Sequence, residues 1–220
     1  MTATDAQGVV VLRFGDRRVP RALAGLPVRA PDVDTSLDAR RVVVLGDDAD
    51  LATVVSRLLK TDRLDVEVAY PRPRRSTATR AYGIATGLGA ARRAVTGSPA
   101  RVPLIRDETG RVLVGAALWV GEAELERGAK LAQLHGEAVA DDTVLFDGAV
   151  AAVRIEPTRA LPGVRASVLT GRMRPRRWVS GRAVQLGSTG AFVVRDGELS
   201  TRAVRRSTFY RHTQGWLLVG

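Results

Sequence analysis

Arg41-Val42-Val43-Val44-Leu45-Gly46-Asp47-Asp48-Ala49-Asp50 is the stretch whose reading decides the fold. An uninterrupted Val-Val-Val-Leu run has no polar face, so it suits a strand buried on both sides, as in a parallel sheet covered by helices. Gly46 ends the run and three acids follow. Leu51, Val54, Val55, Leu58 and Leu59 then recur at helical spacing, and carboxylates at the start of such a helix sit where its dipole favours them. Residues 66–70 read as the next strand, cut by Pro71. Residues 41–70 are therefore predicted to form a β-α-β unit.

Working outward, residues 9–12 are a short β-branched strand closed by Gly15-Asp16. Pro20, Pro27 and Pro31 exclude a continuous helix over the following stretch, because proline breaks the hydrogen-bond ladder. Downstream, residues 76–95 read as one helix carrying Ala81, Ile84, Leu88 and Ala91, weakened by Gly83, Gly87 and Gly89. Strands are expected at 102–105 and 111–120 around a turn at 107–110, then a helix over 122–138. From Thr143 the texture changes to short alternating runs at 150–155, 164–169, 182–186, 191–195, 203–209 and 215–219. Regularly spaced short strands imply an antiparallel sheet or sandwich. The expected architecture is α/β plus β: a parallel-sheet α/β lobe over residues 1–100, then an antiparallel, sandwich-like β-rich lobe over 101–220.

The 220 residues contain no cysteine, which excludes disulfides, thiolate metal sites and a cysteine nucleophile. His135 and His212 are the only histidines, too few for a multi-histidine zinc site. No Gly-x-Ser-x-Gly elbow supports a serine triad. Thr2, Asp5 and Gln7 open the chain where a secretory leader would be basic and then apolar, so a cytoplasmic protein is expected. Net charge is +11, and 32 of the 34 basic residues are arginine; GC-rich codon usage accounts for that preference without a functional demand. The distribution says more. Residues 151–220 hold 13 arginines against Glu156, Asp196 and Glu198, a net of +10, and residues 71–103 hold seven arginines and no acid. Clustered charge of this kind attracts phosphate groups on nucleotides, lipid headgroups or nucleic acid.

Gly46-Asp47-Asp48-Ala49-Asp50, followed by Leu51-Ala52-Thr53-Val54-Val55-Ser56-Arg57-Leu58-Leu59, resembles the signature of the diacylglycerol kinase catalytic superfamily. That signature is a strand, Gly-Gly-Asp-Gly-Thr, and a helix. Pro73-Arg74-Arg75-Ser76-Thr77-Ala78-Thr79-Arg80-Ala81 stands where the family has Gly-Thr-x-Asn-Asp-x-Ala, and Asp196-Gly197-Glu198 is similar to its late Asp-Gly-Glu motif. The resemblance runs from about residue 40 to 220 by order and spacing, with the family's N-terminal region much abbreviated. It implies the two-lobe fold that lipid kinases share with NAD kinases, ATP and Mg²⁺ as cofactors, and a lipid acceptor received by the β-rich lobe. Carried over residue by residue, Asp48 and Glu198 would be catalytic, Glu198 as base for the lipid hydroxyl. Gly46, Asp47, Asp50, Arg74, Arg75, Ser76, Thr77, Thr79 and Arg80 would bind nucleotide or phosphate, and Asp48 and Asp50 would hold Mg²⁺.

The departures weigh as much as the matches. Asp47 and Ala49 replace the two glycines that let backbone approach phosphate, Asp50 replaces the threonine, and Thr79-Arg80 replaces Asn-Asp. A carboxylate at Asp47 repels triphosphate at close range unless a metal bridges them. Phosphoryl transfer rests on positioning and electrostatics, so such losses should cost many orders of magnitude in rate. The expectation is a lipid-kinase-like protein that binds a phosphate-bearing or lipid ligand in a cleft between the lobes, with phosphotransfer lost or much reduced. The alternatives are an active kinase with a remodelled cradle, or electrostatic nucleic-acid binding by the basic C-terminal lobe. Peripheral contact with an anionic membrane at the inner surface is a further expectation from the same charge. Each motif also has a plain structural reading. Gly46–Asp50 and Ser76–Thr79 cap helices, Asp196-Gly197 is a hairpin turn, and the arginine–aromatic alternation at 205–212 suits an edge strand.

Overall fold

In the computed structural model, which describes residues 8–36, 38–121 and 132–220, the apolar run at 41–45 becomes a central strand with every residue buried. Five strands of the first lobe are β1 (Val9–Arg13), β2 (Val28–Arg29), β3 (Arg41–Leu45), β4 (Glu67–Ala69) and β5 (Pro99–Val102). The sheet runs β2-β1-β3-β4, all parallel. Alternate residues of β1 and β3 face opposite ways. Val10, Leu12, Val42 and Val44 pack with Val54, Val55 and Leu58 of helix α1 (Asp48–Lys60). Val9, Val11, Val43 and Leu45 pack against Leu23 and against Ala91, Ala94 and Val95 of helix α3 (Ala90–Thr96). Two covered faces are what a strand with no polar side requires.

The single helix expected over 76–95 is two. Helix α2 (Thr77–Ala81) stops at Tyr82, and Gly83 (φ +64°) and Gly87 (φ +91°) turn the chain before α3 begins. Those left-handed conformations are open to glycine at no steric cost. One buried charge ties the lobe together. Arg41 forms an ion pair with Glu67 at 2.5 Å and donates to the carbonyls of Ala94, Val95 and Gly97 at the end of α3. A cation is favoured at that end of a helix.

The second lobe is an antiparallel sheet built from β6 (Ile105–Asp107), β7 (Val112–Leu113), β8 (Ala117–Gly121), β9 (Leu134–Ala140), β10 (Thr143–Val150), β11 (Ala152–Pro157), β12 (Val164–Leu169), β13 (Val179–Gly181), β14 (Ala183–Arg195), β15 (Glu198–Leu199) and β16 (Val204–Arg211). Runs read separately at 182–186 and 191–195 are the two halves of β14, which pairs with β9 along its first half and β8 along its second. The sheet curls around Trp119, Leu134, Phe146, Val153, Val164, Val184, Val193 and Phe209. Of the helix expected over 122–138, residues 122–131 lie outside the described residues, and 134–140 are strand β9. Leu134, Ala138 and Ala140 point inward while His135 and Glu137 point out, a period of two that overrides helix propensity here. The 215–219 run was expected in this sheet. Instead β17 (Trp216–Val219) inserts into the first, parallel to β4 and antiparallel to β5, where Trp216 meets Tyr82 edge-on at 5.3 Å.

Candidate functional site

The chain leaves β1 toward β2 on one side, while β3 lies on the other. In open α/β sheets the crevice beyond the carboxyl ends of strands at such a switch point is where ligands sit. Here that crevice is a cavity of about 680 Å³. Arg17 and Arg18 reach it from the end of β1, Leu45 and Gly46 from β3, Arg72 and Arg74 from beyond β4, and Pro71, Leu88 and Ala91 form apolar wall. Leu88 is fully exposed at the rim. Arg72 lies 5.6 Å over the Tyr70 ring and donates to the Gly46 carbonyl, while its Nε is buried with no hydrogen-bond partner.

At the floor, the turn into α1 is closed on itself. Asp50 N–H donates to Asp47 Oδ1 at 3.1 Å, and Asp47 N–H donates to Asp50 Oδ2 at 2.8 Å, a reciprocal capping box. Burial raises the Asp50 carboxyl above its usual value; the bond from the Asp47 N–H opposes the rise and the Asp47 carboxylate adds to it. Gly46 has to be glycine, since a Cβ there would lie 2.5 Å from Asp50 Cβ. The second junction repeats the device: Ser76 Oγ accepts from Thr79 N–H at 3.2 Å, and Thr79 Oγ1 accepts from Ser76 N–H at 2.7 Å. Asp48 bridges the two junctions, accepting from Tyr70 Oη at 2.8 Å and from Ala78 N–H at 3.0 Å. Burial, then the Asp48 charge, pushes the Tyr70 phenol above its ordinary value.

The lobes meet at Asp48. Asp196, in the left-handed turn between β14 and β15 (φ +48°), accepts from the backbone N–H groups of Val114, Gly115 and Ala116 at 3.1, 2.7 and 3.1 Å. A Cβ at Gly115 would lie 2.7 Å from Asp196 Oδ1, 3.2 Å from Asp48 Oδ2 and 3.2 Å from Thr77 Cβ. Two carboxylates from different lobes therefore press on one glycine. Burial raises the Asp196 carboxyl to about 7 despite its three N–H donors, and the Asp48 charge adds to the rise.

The site residues expected from sequence thus fall into three groups. Gly46, Asp47, Asp48, Asp50, Ser76, Thr77 and Thr79 converge at the two βα junctions. Arg74 lines the cavity; Arg75 and Arg80 are exposed, Arg80 reaching Thr77 Oγ1 at 3.4 Å. Glu198 stands apart in a separate cleft of about 260 Å³ along α1, exposed and paired with Arg111 at 2.7 Å. Asp48 and Asp50 turn to different partners, and among the described residues no cluster of three or more His, Asp or Glu has the geometry to hold a metal. Sequence reasoning missed Arg17, Arg18, Tyr70 and Asp196. The arginine pair could have been found, since it follows the turn at the end of a strand of the parallel lobe.

No protein-family model matches the sequence, and no curated protein does. Solved structures do match. A candidate diacylglycerol kinase from Bacillus anthracis superposes with a TM-score of 0.71 over 96% of both chains at 10% identity. A diacylglycerol kinase from the same organism gives 0.67 over 96% of this chain and 95% of that one at 12% identity. An NAD kinase from Archaeoglobus fulgidus, solved in complex with ATP, gives 0.59 over 96% and 92% at 12% identity. The chain has the two-lobe fold of the diacylglycerol and NAD kinases.

Proposed function

We propose that the protein binds a phosphate-bearing ligand, a phosphorylated small molecule or a phospholipid headgroup, in the arginine-lined crevice above Gly46, and that it carries little or no ATP-dependent phosphotransfer. The observation behind both halves is where the backbone donors of the two junctions point. A phosphate cradle works by offering free N–H groups at a helix start. Here the Asp47 side chain takes the N–H of Asp50 in α1, and Asp48 and Ser76 take those of Ala78 and Thr79 in α2. The N-cap N–H groups of Asp47 and Ser76 go to Asp50 and Thr79, and Asp196 occupies three more at the lobe junction. The donor set does not fit a triphosphate with its Mg²⁺, and the Asp47 carboxylate would face its charge. Guanidinium forks remain: Arg18 and Arg74 offer charge-assisted bonds to phosphate without any backbone cradle, and Arg72, anchored on the Gly46 carbonyl, adds its charge.

The ligand is placed outside the cleft expected between the lobes. Such a cleft does lie between α1 and Arg111, Arg195 and Glu198, but its arginines are paired with acids; the larger, cationic space belongs to the parallel lobe. The test is thermal denaturation with Mg²⁺-ATP and with inorganic pyrophosphate, alongside a phosphorylation assay on diacylglycerol. Pyrophosphate at about a hundred times its dissociation constant should stabilise the fold by about 2.7 kcal/mol, whereas Mg²⁺-ATP should neither stabilise it as strongly nor support turnover. Robust turnover would overturn the proposal, and so would indifference to pyrophosphate combined with co-purification of an uncharged molecule.

A further inference from the structure

The β-rich lobe carries a second cationic feature far along the chain from the crevice. From residue 157 to 195 there are eight arginines and no acid. Four of them, Arg172, Arg174, Arg176 and Arg177, lie in or just after one tight loop joining β12 to β13, and residues 171–177 are all exposed. The loop is held in shape: Met173 N–H donates to the Thr170 carbonyl at 2.8 Å, Thr170 N–H to the Arg174 carbonyl at 2.9 Å, and Arg176 N–H to the Val168 carbonyl at 3.0 Å. At its tip Met173 adopts a left-handed conformation (φ +56°), which few side chains take, and is 38% exposed. Beside the loop two adjoining grooves of about 630 and 240 Å³ share Val150, Val168 and Arg176. Val144 on the wall of the smaller groove is 64% exposed, and among the described residues no acidic side chain lines either groove.

We infer that this loop and groove form a surface that docks on an anionic phospholipid bilayer, independently of what fills the crevice above Gly46. Guanidinium groups at such a surface gain from the negative potential of the headgroups. Their aliphatic stems, with Met173 and Val144 between them, bury into the boundary with the acyl chains. A nucleic-acid backbone would use the arginines and leave the apolar tip and groove without a role. An apolar groove rimmed by arginines is complementary to a bilayer on both counts.

Trp178 follows the loop, half-buried beneath Arg165 at 4.3 Å, while Trp119 and Trp216 are wholly buried. It therefore reports on this surface alone. With the full chain, phosphatidylglycerol-rich vesicles should sediment the protein and phosphatidylcholine vesicles should not, and brominated acyl chains should quench Trp178. Arg176→Glu with Arg177→Glu should lower partitioning at least about thirtyfold; Met173→Asp should weaken quenching with the melting temperature unchanged. Arg205→Glu with Arg206→Glu, a matched charge change on β16, should retain most of the binding. Equal binding to neutral vesicles would overturn the proposal. So would equal losses from the two double variants, or a loop-dependent affinity for single-stranded DNA with no vesicle binding.

Discussion

The two clefts beside helix α1 are lined by similar side chains and differ in what those side chains are already doing. Around the narrower one, each arginine has its own acid: Arg57 pairs with Asp34 at 2.5 Å, Arg111 with Glu198 at 2.7 Å, and Arg195 with the fully buried Asp107 at 2.5 Å. Above Gly46, Arg17 has only long contacts to Asp47 and Asp50, at 3.5 and 3.9 Å, and Arg72 spends its guanidinium on a carbonyl and a ring. Counting arginines does not locate an anion site; the neutralised ones must be subtracted first. What remains is a positive crevice at the strand ends and a balanced cleft along the helix.

The contrast can be broken most directly by charge reversal. Arg18→Glu with Arg74→Glu should weaken pyrophosphate binding about a hundredfold by calorimetry, since two charge-assisted bonds are lost. Exchanging the partners of the narrower cleft, Arg111→Glu with Glu198→Arg, should leave the same isotherm in place. Equal losses would dissolve the distinction. The next effect concerns the acid that closes the lobe junction. Asp196→Ala strands three backbone N–H groups and should cost about 2 kcal/mol in urea unfolding.

The same residue gives the comparison a pH signature. Because the folded Asp196 carboxyl holds its proton up to about 7, well above its usual 3.8, its stabilising contribution is fullest in acid. It declines as pH rises from the ordinary carboxylate range to about 7, and is level above that. Asp196→Asn should flatten that decline in melting temperature, and an unchanged profile would show that Asp196 does not set it. The smallest effect belongs to Glu198. As an exposed ion pair it should be worth less than about 0.5 kcal/mol, and Glu198→Gln should alter neither stability nor pyrophosphate affinity.

Local signals carried much of the fold into view. The strand at 41–45 and the helix after it are legible because burial on both faces, helical spacing and N-terminal acids agree over twenty residues. The break between α2 and α3 was less legible, since alanine-rich spacing continues across Gly83 and Gly87 while only their backbone angles betray the turn. For residues 134–140, Leu134 and Ala138 satisfy a helical spacing and a strand alternation equally. Pairing with β10 and β14 decides between them, and that is not a local property. Asp196 was hidden for a related reason. Asp-Gly is a strong hairpin signal and does form that turn, but the three N–H groups it accepts from lie about eighty residues away.

Strand β17 has a mechanical consequence. It pairs antiparallel with β5, so Trp216 sits opposite Val102, and the segments entering and leaving the β-rich lobe run side by side, joined again where His212 N–H donates to Leu104 at 2.8 Å. The larger lobe is thus an insertion on a two-ply stalk. Its ends already touch, so both covalent links between the lobes run through that stalk, and residues 105–211 could be transplanted into a foreign loop without spanning a gap.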